Sequence, residues 1–167
     1  MTYKYSAKSG ENCAKAVGIS LSISTKKSVE ICNAIRGKQI TLAKKILQNA
    51  IDMKIPIPMK IYNDNTGHKA GMAAGRYAVN ACEQILLILK SAEANAQTKG
   101  LPANNLIIKH ASAQLGPKTW HYGRQRRREA KRTHIEFILE ESKEKPKEKK
   151  QTQPLLRKNK QKVTKND

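Results

Sequence analysis

From Val17 the chain alternates: Val17, Ile19, Leu21 and Ile23 are apolar, and Gly18, Ser20 and Ser22 between them are small or polar. A period of two predicts a half-buried strand. The period then changes to three. Val29, Cys32 and Ile35 form one stripe of a helix that Thr25 is placed to cap and Gly37 to stop. A second helix is predicted over residues 41–53. Its apolar set is Ala43, Ile46, Leu47, Ala50 and Ile51, with Lys44, Lys45 and Gln48 on the other face. Pro56, which has no backbone donor, bars its continuation. The longest helix is predicted over residues 78–98, with Val79, Cys82, Ile85, Leu86, Leu89, Ala92 and Ala96 as its buried stripe. Gly100 ends it and Pro102 prevents its resumption.

Alternation returns twice more, at residues 106–113 and 135–139. On the first segment Leu106, Ile108 and His110 face one way, and Ile107, Lys109 and Ala111 the other. On the second, Ile135, Phe137 and Leu139 oppose His134, Glu136 and Ile138. The stretch between them reads LGPKTWHYGRQRRREAKRTH. The pattern is that of a long protruding β-hairpin over residues 106–139, with an apolar base and a cationic distal part at 116–131. The element order predicts an α+β domain over residues 16–141: one three-stranded antiparallel sheet, three helices packed on one side of it, and the hairpin. Residues 1–15 form a polar arm. Residues 55–76, with two prolines and three glycines, read as an irregular insertion. Residues 142–167 hold ten Lys/Arg and three acids; this lysine-rich tail is of the disordered type.

Charge sharpens the picture. The chain has 33 Lys+Arg against 13 Asp+Glu, a net charge of +20 over 167 residues. Self-repulsion of that size is relieved by a polyanionic partner. Only 4% of residues are aromatic, so the core is expected to be small and aliphatic. Cys13, Cys32 and Cys82 are odd in number and far apart, which fits free thiols in a reducing compartment. No apolar stretch suits a signal peptide or a span, so a soluble, intracellular protein without membrane partners is expected.

Candidate chemistry concentrates in the hairpin. Arg124, Arg126, Arg127, Arg128, Lys131 and Arg132 are too dense to be neutralised within the chain. Guanidinium groups offer planar paired donors to phosphate. Trp120, His121 and Tyr122 beside them suit stacking on unpaired bases. In the insertion, Lys60, His68, Lys69 and Arg76 suit phosphates, with a merely solvated loop as the competing reading. The four histidines, at 68, 110, 121 and 134, show no metal-ligand spacing, and no metal is expected. Acids are scattered. Glu140 and Glu141 fall on opposite faces of a strand, and no phosphate loop, dinucleotide fingerprint or nucleophile motif appears. Neither an enzyme nor a cofactor is expected. Cys32 and Cys82 suit core positions.

Four strings carry a resemblance: 28–38 (SVEICNAIRGK), 92–96 (AEANA) with 99–101 (KGL), 115–118 (LGPK) and 134–141 (HIEFILEE). Over residues 16–141 the chain resembles the universal large-subunit ribosomal protein L twenty-two family. The insertion, with Asn63, Gly67, His68, Lys69, Gly75, Arg76 and Tyr77, is similar to the archaeal and eukaryotic branch. The resemblance implies a structural protein of the large subunit in the cytoplasm. Its partners would be large-subunit rRNA, neighbouring large-subunit proteins and the nascent polypeptide. It implies that the body sits near the peptide exit and that the hairpin lines the tunnel wall. Lys118, Arg124, Arg126, Arg127 and Arg128 would touch rRNA, with Trp120, His121 and Tyr122 toward the distal part. Between Pro117 and His134 this chain is about five residues shorter than the family pattern, or roughly 7–10 Å per arm. The family's Arg-Gly-Arg near the tip is also missing. Two readings from other classes compete: a chromatin-like DNA-binding protein, and an RNA-processing enzyme. The first lacks a helix dense in Lys/Arg for a major groove. The second lacks clustered acids.

Overall fold

A computed structural model describes residues 3–8, 10 and 12–142. The expected tail lies, apart from Ser142, outside the described residues. The main sheet has three strands, β1 (Cys13–Leu21), β5 (Leu106–Leu115) and β8 (Thr133–Glu141), in the order β1-β8-β5 and antiparallel throughout. The helices are α1 (Thr25–Ile35), α2 (Ile40–Ile51) and α3 (Val79–Thr98). They cover one face, so the α+β architecture with three helices on a three-stranded sheet is as the pattern predicts.

β8 is central, and its alternation sets the core. Ile135, Phe137 and Leu139 point into it, beside Leu106, Ile108 and Ala111 of β5. Ile31 and Ile35 of α1, Ala43 and Leu47 of α2, and Ile85 and Leu89 of α3 close over them, all without solvent exposure. The one phenylalanine thus sits at the middle of an otherwise aliphatic core. Each fully buried large apolar side chain contributes roughly 1.5–3 kcal/mol by leaving water.

Four expectations need correction. β1 begins at Cys13, inside the segment read as a polar arm. Its side chains in the core are Ala14 and Ala16, with Gly18 enclosed as well and Cys13 buried outside that cluster, whereas Ile19 is 58% exposed. The reason is helix α3, which lies so close that a Cβ on Gly18 would come within 2.4 Å of Ile88 Cδ1. Small residues therefore occupy the inner face, and the larger ones turn outward. A bulge with Ser20 at φ 55° then ends the regular register.

Thr25 is not the cap of α1. Ser24 holds that position with extended backbone and no side-chain bond, and the Thr25 hydroxyl instead meets Thr133 Oγ1 at 2.8 Å. On β5 the alternation slips at Lys109, because a bulge pairs Ile108 with Leu139 and His110 with Ile138. Ala111 is thereby turned into the core, and His110 to the opposite face. Finally, the insertion is not irregular throughout. It forms a small three-stranded sheet of β2 (Ile57–Pro58), β3 (His68–Lys69) and β4 (Met72–Arg76), in the order β2-β4-β3. Short strands with prolines and glycines carry no readable period.

That small sheet is fastened by one buried acid. The Glu30 carboxylate, on α1, accepts backbone N–H groups of Ile61 (2.6 Å) and Tyr62 (2.8 Å). Burial alone would raise its pKa, but these amide bonds and the nearby Lys60 charge hold it below the usual carboxylate range.

The second buried acid, Glu136, lies on the outer face of the main sheet. It takes the Tyr3 hydroxyl at 2.6 Å, the Ser6 hydroxyl at 2.7 Å, the Ser6 N–H at 3.0 Å and Gln114 Nε2 at 2.9 Å. The described part of the N-terminal arm is thus laid across that face. Burial pushes the Glu136 carboxyl up, but the Tyr3 and Ser6 donors and His110 more than offset this and hold it below the usual range. Burial first, and then the bond to Glu136, push the Tyr3 hydroxyl up to about 12.

Candidate nucleic-acid interface

The hairpin ladder runs from Leu106↔Glu141 to Leu115↔Thr133, and the Gly116 N–H then bonds Arg132 O at 2.9 Å. The two arms pinch here: a Cβ on Gly116 would lie 3.1–3.3 Å from Arg132 atoms. Beyond this neck regular pairing lapses and resumes as β6 (Thr119–Trp120) against β7 (Glu129–Ala130). Pro117 cannot donate to a ladder, which accounts for the gap on its side. The end is closed by bonds from His121 N–H to Arg128 O (2.9 Å), Arg126 N–H to Gly123 O (3.3 Å) and Arg128 N–H to Gln125 O (2.8 Å). Gly123 has φ +64°, a conformation that glycine adopts at little cost.

Almost nothing on this finger is sheltered. Trp120 is 64% exposed and Tyr122 94% exposed. His121, Arg124, Arg126, Arg127, Arg128 and Lys131 are exposed, and Arg132 partly so. Arg124, Arg126 and Arg127 line one open hollow of about 720 Å³ with Gly123. Lys118 differs from the rest, since its ammonium pairs with Glu129 at 2.5 Å. Among the described residues, none of Arg124, Arg126, Arg127, Arg128, Lys131 and Arg132 makes an ion pair. Six cations therefore stand together without an internal counter-charge, and the only acid between them is engaged.

The four insertion residues do not form one cluster. His68 and Lys69 lie on β3, exposed, with the Lys69 ammonium 5.5 Å from the Tyr77 ring centre. Arg76, at the end of β4, donates to Asn65 O at 2.8 Å. Lys60 lines a separate, largely apolar hollow of about 390 Å³ between α1, α2 and β2, with Asn33, Lys38, Ile46, Ile57 and Met72. Lys26 and Lys27 were not among the sequence candidates, yet they stand beside Arg76 in one cleft. One signal could have found them. They occupy the first turn of α1, where the helix dipole disfavours cations, and that turn contains no acid.

The remaining reactive groups are absorbed by the fold. Burial pushes the Cys32 thiol up to about 12 and the Cys82 thiol to about 11, so both stay protonated. His134 Nδ1 accepts the Ser20 N–H at 3.0 Å, and His110 Nε2 lies 3.1 Å from Ser6 Oγ. No group of three metal-ligating side chains occurs among the described residues. No described helix is long and apolar enough to cross a membrane.

Comparison with known proteins bears on the same residues. The family described as ribosomal protein L22p/L17e matches residues 16–140. The chain is 39% identical over 148 residues to the large ribosomal subunit protein uL22 of Archaeoglobus fulgidus, covering 84% of this chain and 96% of that one. It is 40% identical over 149 residues to the protein of the same name from Methanosphaera stadtmanae, covering 84% and 97%. Against that of Staphylothermus marinus it is 37% identical over 150 residues, covering 83% and 96%.

Proposed function

Because the chain belongs to the ribosomal protein L22p/L17e family, we propose that its finger binds large-subunit rRNA, supports folding of that RNA during assembly, and lines the wall of the peptide tunnel. The coarser role follows from membership: a structural, non-enzymatic constituent of the large ribosomal subunit, in the ribosome of the cytoplasm. The finer reading has one chief support. Six Lys/Arg side chains project on a two-stranded finger with no ion-pair partner among the described residues. A polyphosphate chain supplies the missing counter-charge, and release of its condensed ions drives the association.

Roles divide along the finger. Arg124, Arg126, Arg127 and Arg128 take phosphates and bases at the tip, and Lys131 and Arg132 take phosphates at the root. Trp120, His121 and Tyr122 stack on unpaired bases or face the tunnel. Lys118 first has to leave Glu129. Lys60, His68, Lys69 and Arg76 contact RNA from the body. The body lies near the peptide exit, beside neighbouring large-subunit proteins, and the nascent chain passes the finger.

The test is assembly. Charge reversal of Arg126, Arg127 and Arg128 is expected to exclude the protein from large-subunit particles far more than reversal of Lys143, Lys145 and Lys147. Sedimentation with the particle is the readout. Equal effects of the two sets, or none from either, would remove the finger from the account.

A further inference from the structure

Two clefts on the body share residues. The first, of about 130 Å³, is lined by Lys26, Lys27, Tyr62, Asp64 and Arg76 among others. The second, of about 250 Å³, is lined by Ser22, Lys27, Tyr77, Asn80 and Lys131 among others. Ser24 and Lys27 belong to both, so the two make one groove. It starts at the small sheet, passes the first turn of α1 and ends at the root of the finger.

We propose that this groove holds one strand of ribosomal RNA, in a contact that meets the finger's only at Lys131. The inference rests on the RNA-binding reading of the finger and extends it to residues Lys26, Lys27, Tyr62 and Tyr77. Charge supports it: four cations, Lys26, Lys27, Arg76 and Lys131, face one acid, Asp64. None of these five makes an ion pair among the described residues. Placing Lys26 and Lys27 in the first turn of α1 works against the helix dipole, and an anion between them reverses the sign of that interaction. Aromatic rings stand at the groove as well. Tyr62 is 39% exposed with the Lys26 ammonium 5.7 Å from its ring centre, and Tyr77 carries Lys69 in the same way. Cations beside ring faces, along a path of further cationic side chains, make a surface suited to an unpaired strand. One strand lying here would tie the insertion to the finger's root, because Arg76 and Lys131 are at its two ends.

The full-length chain and transcribed large-subunit rRNA of Archaeoglobus fulgidus serve for the test. The variant Lys26→Ala/Lys27→Ala is expected to bind on the order of tenfold more weakly near 0.1 M salt. Its slope of log affinity against log salt should fall by about 1.4, for two single-strand phosphate contacts. The loss should multiply with that of Arg126→Ala/Arg127→Ala/Arg128→Ala, as for independent sites. Unchanged circular dichroism and melting would show that the groove variant folds. If the finger variant binds poorly while the groove variant binds as wild type, the groove proposal alone is overturned. If the wild-type chain itself does not bind, the RNA-binding reading falls and the groove with it. A second measurement places the strand. An iron chelate on Asn80→Cys should cut the RNA at positions distinct from those cut from Thr119→Cys; the native thiols are buried. Absent cuts from position 80, or the same cuts from both, would also overturn it.

Discussion

The hairpin has two halves made of the same kind of paired backbone, and they are held by opposite means. At its base, β5 and β8 place Leu106, Ile108, Ala111, Ile135, Phe137 and Leu139 out of water altogether. Beyond the neck at Gly116, no residue from 117 to 132 is buried. There the shape rests on a few backbone hydrogen bonds, one two-residue strand pair and the Lys118–Glu129 ion pair. Local opening free energy follows buried contacts, so base and finger should differ widely in it. The difference teaches that pairing alone gives a hairpin its shape, whereas its resistance to opening comes from the core beneath it, which only the base has.

The comparison breaks most easily at the aromatic residues. Phe137→Ala should lower the unfolding free energy by about 3–5 kcal/mol, read by urea denaturation. Trp120→Ala, a similar truncation on the finger, should change it by no more than about 0.5 kcal/mol. It should still weaken RNA binding, by about 1–3 kcal/mol if the indole stacks on a base. A large stability loss from Trp120→Ala would mean that the finger has a core of its own.

Smaller effects lie on the sheet's outer face. Glu136→Gln should cost about 1–3 kcal/mol, because buried donors lose a charged acceptor. The sign of the pH dependence follows from the carboxyl's lowered pKa. A group held below its unfolded value contributes fully above that value, and the contribution is lost as pH falls through the folded one. The arm at Tyr3 and Ser6 should therefore loosen on acidification below the ordinary carboxylate range, read by hydrogen exchange at Ser6. Glu136→Gln should flatten that acid limb; Glu30, also lowered, should leave a residual slope.

Gly18→Ala should cost about 1 kcal/mol, the low end for overpacking, since the new methyl meets the movable end of Ile88. The smallest effect is expected at the finger's own ion pair. Glu129→Gln should move stability by less than about 0.5 kcal/mol, as for an exposed pair. Freeing Lys118 should steepen the salt dependence of RNA binding by about 0.7. No change in that slope would mean that Lys118 makes the same contribution to RNA binding with and without Glu129.

The helices were legible because each buries a single stripe: Cys32 and Ile35, Ala43 and Leu47, Ile85 and Leu89 lie where the period of 3.6 puts them. β8 was legible for a similar reason: Ile135, Phe137 and Leu139 keep a period of two, although Ile138 between them is also apolar and buried. β1 was legible as a strand but not in its start or its inner face, because its burial is set by a close helix rather than by hydrophobicity, and Ala14, Ala16 and Gly18 give no apolar signal. The slip at Lys109 was equally silent, since a bulge leaves no mark in a run of alternating residues. At the interface, the density of arginine announced the finger directly. Lys26 and Lys27 leave only a faint mark in the sequence, two cations in an acid-free first turn, and it is tertiary structure that sets Arg76 beside them.

The strand order β1-β8-β5 carries a consequence for synthesis. β1 and β5 are not paired with each other; β8 lies between them and pairs with both. A chain emerging amino-end first therefore makes two strands that have no strand to pair with until residues 133–141 appear. Tyr3 and Ser6, made long before Glu136, wait for it. The domain can close only in one late event, and a chain arrested before residue 133 leaves its sheet unformed.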